Sequence, residues 1–211
     1  MDSRLQDLYR LYELYEQRAL GQVYIQKPQA QESKITQNTL KDSIEHCRLC
    51  QRSKLASPSF GLLQESSRVA FITQVSLLNA KNHFLENKSA KMLQDIISKV
   101  FRFSSREYSL LSLLKCGDMF GSAQEVEICK QYLVQQLGNI PQALVFCFLD
   151  EVGLEVFDFH DRSLFGRVME WQGRYIIFTH SLTTLARNPS LKQESLHHMR
   201  LAQEILAGGI A

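Results

Sequence analysis

Four short apolar runs punctuate the chain: Val69–Thr73, Leu110–Leu114, Leu144–Leu149 and Tyr175–Thr179. Each is continuous rather than alternating, the pattern of strands covered on both faces. Helical patterns separate the first three. Met92, Leu93, Ile96, Ile97, Val100 and Phe101 make one stripe at helical spacing. Ser122 and Glu125 form a capping box that opens a helix running to about Leu137. Gln172-Gly173 reads as a hairpin turn before the fourth strand. A last helix is expected over Leu191–Leu206, with Leu196, Met199, Ala202 and Leu206 inward and His197 and His198 in solvent. Strand, helix, strand, helix, strand implies parallel crossovers, so the predicted fold is a three-layer α/β/α domain around a short, mostly parallel sheet.

Upstream, Leu5, Leu8, Tyr9, Tyr12, Tyr15 and Ala19 recur on one face of a predicted helix over residues 3–20. Ser3 with Gln6 suits its start and Gly21 its end. The polar stretch Gln26–Ser33, with Pro28, reads as a linker. Residues 1–33 are therefore expected to form a helical arm and linker, packed on the domain or against a protein partner, and residues 34–211 the domain. A second helix is expected over Ile35–Cys47, followed by a loop, Gln51–Ser67, with Pro58 and Gly61.

Composition narrows this picture without redrawing it. The 211 residues are 45% hydrophobic and 22% charged, which excludes a largely disordered or collagen-like chain. A formal charge of +2 makes no strong case for a polyanion partner. A basic rim could still be assembled from Arg102, Arg106, Arg162, Arg167, Arg174, Arg187, Lys192 and Arg200. No apolar run reaches the length of a membrane span, so no membrane partner is expected. The first residues are charged and lack the apolar stretch of a signal peptide, so a cytoplasmic, reducing location is expected.

In a parallel sheet, ligands bind beyond the carboxyl ends of the strands. Residues 74–79, 115–121, 150–153 and 180–188 follow the four runs. Cysteine is the chemistry-bearing residue with the clearest pattern near them. Cys47 and Cys50 are separated by two residues, Cys116 follows the second strand, Cys129 lies in the capped helix, and Cys147 sits inside the third strand. Thiolates suit zinc or an iron–sulfur centre, whereas free cysteines are also common core residues. Spacing alone leaves these readings open. Cys147 belongs with the core, since a mid-strand side chain has little access to a cluster.

The order of these elements resembles the iron–sulfur uracil-DNA glycosylases of the thermostable type, from about Leu40 to Leu206. Cys47-Arg48-Leu49-Cys50 resembles the family's first ligand pair, Ser59-Phe60-Gly61 its loop before the first strand, and Lys115-Cys116 its Lys-Cys. Cys129 resembles the fourth ligand, and His180-Ser181 the His-Pro of the last active-site loop. Arg187-Asn188-Pro189 with Lys192 is similar to the stretch that follows it. The resemblance implies a 4Fe–4S cluster on Cys47, Cys50, Cys116 and Cys129, in preference to zinc, with a structural role. It also implies action on, or binding to, DNA in base-excision repair, the DNA being single-stranded or carrying a flipped base.

The resemblance also locates departures. The family places a water with a carboxylate in a loop similar to Gly-Glu-x-Pro-Gly; here that loop reads Thr73-Gln74-Val75-Ser76-Leu77. Gln74 can hold a water but cannot take its proton. The family's base-stacking Phe falls at Leu85 or its neighbour Phe84, and its base-reading Asn falls at Ser112, which offers one rotating hydroxyl. His180 remains as a group able to stabilise a departing uracil anion, and Arg187 as a substrate contact. Weak or absent uracil excision is the expectation. The alternative is a non-catalytic relative that keeps fold and cluster and binds DNA or protein.

Overall fold

The structure is a computed structural model that describes residues 37–79, 81–117 and 121–208. The predicted arm and linker lie outside the described residues. Five strands form one sheet: β1 (Val69–Val75), β2 (Tyr108–Leu114), β3 (Leu144–Phe148), β4 (Val168–Trp171) and β5 (Arg174–Thr179). Their order is β2-β1-β3-β5-β4. Every neighbouring pair is parallel except β4 with β5. The helices are α1 (Gln37–Glu45), α2 (Arg52–Leu55), α3 (Lys88–Asp95), α4 (Ala123–Gly138), α5 (Glu151–Glu155), α6 (Leu182–Arg187) and α7 (Lys192–Leu206). A π-helical stretch, Ile96–Phe101, continues α3.

The continuous apolar runs are explained by two cores, one on each face. Ala70, Ile72, Val145, Cys147 and Phe178 pack with Val126, Leu133 and Leu137 of α4 and with Leu154 of α5. Val69, Phe71, Phe146, Phe148 and Ile177 face the other way, onto Ala90 and Leu93 of α3 and Met199 and Ala202 of α7. The chain runs from β1 to β2 through α3 and returns past β1 to β3 through α4. Reversing direction while keeping right-handed crossovers puts the two helices on opposite faces. The result is the three-layer α/β/α arrangement expected from the sequence. Each fully buried Phe contributes about 1.5–3 kcal/mol of transfer free energy. Phe71 alone meets the rings of Phe101, Phe146 and Phe148 at 5.1, 6.2 and 6.3 Å. Outside the α4 layer, Leu40 and Ile44 of α1 cluster with Phe60 and Tyr132.

Several expectations need correction. The loop after Gln51 contains α2, and the segment after His180 contains α6; both are too short to show a period. His198 is buried, not in solvent. The buried stripe of α7 is Ser195, His198, Met199 and Ala202, while Leu196 and Leu206 are half-buried. His198 is tolerated inside because Thr179 Oγ1 lies 3.0 Å from its Nδ1 and also donates to Ser195 Oγ at 3.0 Å. Arg174 belongs to no basic rim. It is buried, and its Nη1 donates to the carbonyls of Leu137 and Ile140 at 2.8 and 3.1 Å, satisfying the carboxyl end of α4. No helix of the described residues is long and apolar enough to cross a membrane.

Candidate metal centre and the cleft beside it

The strand order reverses between β1 and β3, and the carboxyl ends of β1, β2, β3 and β5 share one edge of the sheet. That edge is where a parallel sheet presents a ligand site. The cysteines gather beside it. Cys47 follows α1, with its N–H bonded to Ile44 O at 3.1 Å. Cys50 O accepts from Ser53 Oγ at 2.7 Å. Arg52 donates from Nε and Nη2 to Cys116 O at 3.0 and 2.6 Å. Ser59 N–H donates to Lys115 O at 2.8 Å, and Pro58 bridges Cys116. The loop bearing the first pair is thus stitched to the turn after β2, and α4 brings Cys129 to the same place.

Cys47, Cys116 and Cys129 are buried, Cys50 is partly exposed, and all are free thiols. They lie close enough to act on one another. The Cys116 thiol is pushed up to about 12, by burial first and then by the sulfurs of Cys129, Cys50 and Cys47. Burial also raises Cys129, whereas a hydrogen bond from the Lys115 backbone N–H and the Lys115 charge favour its thiolate. Tyr132, hydrogen-bonded to Cys47, is raised to about 12, mainly by burial. Among the described residues no three His, Cys, Asp or Glu side chains are gathered tightly enough to hold a single metal ion. That spacing neither requires nor forbids a polynuclear centre, whose irons and sulfides stand between the thiolates. In chemistry the donor set fits a 4Fe–4S cluster: four reduced thiols, one backbone N–H and one phenol hydroxyl hydrogen-bonded to sulfur, and the Lys115 side chain nearby. Cys147 is fully buried inside β3, and burial raises its thiol well above the usual range.

The cleft next to this centre is closed. Gln74 is buried near the end of β1, and its Oε1 has no hydrogen-bond partner among the described residues. Ser112, paired across the ladder with Thr73, is likewise buried with an unpartnered Oγ. The loop after β1 turns inward. Ser76 Oγ donates to Leu78 O at 2.9 Å, and Leu77 and Leu78 are buried against the α3-side core. Leu85 N–H donates to Leu77 O at 2.9 Å, and Phe84 bridges Leu78. Phe84 and Leu85 pack half-buried on the same core. The cavity left beside Gln74, Phe148 and Ser181 measures about 10 Å³. That is room for roughly one water molecule, not a pyrimidine.

His180, the residue after β5, is also buried. Its ring meets Phe165 edge-on at 5.3 Å. Nε2 lies 3.2 Å from Glu194 Oε2, but without hydrogen-bond alignment. It lines a separate pocket of about 340 Å³ with Leu149, Asp150, Glu151, Arg162, Phe165, Ser181 and Thr184. Ser181 lines both this pocket and the closed cavity. The structure therefore brings the four cysteines within electrostatic range of one another but divides Gln74 and Ser112 from His180. A larger hollow of about 890 Å³ lies at the opposite, amino-terminal edge of the sheet, against Arg68 and Gly173–Tyr175. Of the candidate residues, Arg174 alone lines it.

Arg187 is exposed at the end of α6. Arg162, Arg167 and Lys192 are exposed at the same sheet edge, since β4 begins where β5 ends. Arg102 and Arg106 precede β2 and so belong to the opposite edge. Glu194 and Gln136 escaped the sequence reading. The available signal was the spacing of Glu194 and His198, one helical turn apart. No protein-family model and no curated protein sequence matches this chain.

Proposed function

We propose that the chain is a uracil-DNA glycosylase-like iron–sulfur protein that binds DNA in base-excision repair, with weak or absent uracil excision. The observation that carries this reading is the gathering of four thiols from distant chain positions at the ligand edge of the sheet. A 4Fe–4S cluster held by Cys47, Cys50, Cys116 and Cys129 would supply a covalent tie between α1, the turn after β2 and α4. Its binding free energy would be folding free energy. Free thiols of this kind suit a reducing compartment, and the cytoplasm is the proposed location.

The residues around the cleft support weak excision. Gln74 can orient a water but cannot accept its proton. Leu77 and Leu78 line, with Ser112, a cavity that has no room for a base. His180 lines a different pocket from the cavity beside Gln74, so the two do not face one leaving group within a single cavity. The exposed Arg162, Arg167, Arg187 and Lys192 offer phosphate contacts along the same edge. The closed cavity also favours a second reading, a non-catalytic relative that keeps the cluster and binds DNA or protein.

Single-turnover release of uracil from single-stranded DNA separates the two, using protein purified without air and with its iron counted. The first reading predicts release slowed by about 10²–10⁴. The second predicts none. Release near about 10 s⁻¹, an ordinary enzyme rate, contradicts both. Failure to bind DNA in low salt contradicts the DNA reading.

A further inference from the structure

Lys115 is a buried amine with no carboxylate partner among the described residues. It follows β2 directly and is 1% exposed. Its Nζ donates to Ser112 O at 2.6 Å and to Gln136 Oε1 at 2.5 Å. Both acceptors are neutral. Gln136 is fully buried and is held by its own donation from Nε2 to Phe60 O at 2.6 Å. None of the ion pairs among the described residues involves Lys115. Neutral oxygens solvate an ammonium but do not cancel its charge, and taking that charge out of water is costly. A fold keeps such a residue where a negative charge compensates it. Among the described residues, the sulfurs of Cys129 and Cys116 are the negative groups that act on it.

We propose that Lys115 is the fixed countercharge of an anionic four-thiolate centre, held in place by Gln136 and Ser112. The inference rests on the cluster reading above. A 2+ cluster core with four thiolates carries a net charge of about −2. In the filled site Lys115 offsets part of that charge in a water-poor surrounding, where charges act strongly. In the empty site its hydrogen-bond partners are neutral and burial works against its charge, so the residue burdens the fold. Its contribution should therefore change sign with occupancy. A residue present only for packing has no reason to behave so.

The test uses the full chain, reconstituted with iron and sulfide without air, as wild type, Lys115→Met and Gln136→Glu. Two quantities are read: the unfolding midpoint of metal-free protein, and the rate of iron loss to a chelator. Lys115→Met is expected to raise the metal-free midpoint and to speed iron loss at least tenfold. Gln136→Glu keeps Lys115 but gives it an internal carboxylate and adds negative charge beside the sulfurs. It too should speed iron loss, and it decides the matter if metal-free Lys115→Met does not fold. Iron loss at the wild-type rate in both variants overturns the countercharge while leaving the cluster standing. A wild type that takes up neither iron nor sulfide rejects the cluster and the countercharge with it.

Discussion

Gly61 and His198 show how single residues set the candidate site. Gly61 has φ of +87°, and a Cβ there would stand 2.6 Å from Leu110 O. Leu62 and Leu110 exchange both backbone hydrogen bonds, at 2.9 and 2.7 Å, so that carbonyl cannot move away. Gly61→Ala should destabilise the protein by about 1–3 kcal/mol, read as a lower urea midpoint; an unchanged midpoint contradicts the account. His198 resists protonation, first through burial and then through His180 and His197, with Glu194 opposing. Thr179, Ser195 and the backbone of Gly166 close the rest of its surroundings. The unfolded chain takes up this proton near about pH 6.5, the folded chain only at lower pH. Stability is then complete above that value and falls as the pH drops below it. His198→Gln should flatten that acid-side loss, and an identical slope in the variant contradicts the assignment. Neither residue's role was legible beforehand. Gly61 stood in a recognisable motif without its reason, and a buried His looks like a surface one until its helix face is known.

Elements were more legible than residues, for a physical reason. Apart from the exposed Tyr175, the four apolar runs are buried on both faces, so the pattern that predicts them is the pattern that stabilises them. The capping box at Ser122 is equally local. Ser122 Oγ accepts from Glu125 N–H at 3.3 Å and Glu125 Oε2 from Ser122 N–H at 2.9 Å. Ser122→Ala should cost about 1 kcal/mol in urea unfolding. Because α4 carries Cys129, any cluster should also become easier to lose. A change under about 0.3 kcal/mol would mean that packing alone starts α4. Short elements escaped. α2 has four residues and α6 has six, less than two turns, so neither can display a hydrophobic period. α2 is anchored by a tertiary neighbour, Cys116 O, which accepts from Arg52, whereas α6 is started locally by Ser181 Oγ, which accepts from Thr184 N–H.

At the scale of the molecule, the sheet order places the cysteines, the closed cleft and His180 along one edge, and that grouping was readable from the element order. The closure was not. Leu77 and Leu78 follow β1 in sequence like any loop residues, and only the folded chain turns them under the sheet edge. Two substitutions in the loops therefore cannot by themselves recreate a base site. Gln74→Glu combined with Ser112→Asn should leave single-turnover uracil release within about threefold of wild type, because the cavity holds about 10 Å³. A rise of about 10² or more would show that the cleft opens readily and that the missing carboxylate was the principal defect.

The cluster is the claim on which the rest depends. The most direct measurement is iron and acid-labile sulfide per chain in protein purified without air, for wild type, Cys129→Ser and Cys147→Ser. The account predicts about four of each in wild type, a marked loss in Cys129→Ser, and wild-type loading in Cys147→Ser. Zinc in place of iron, no metal at all, or equal loading in wild type and Cys129→Ser would contradict it.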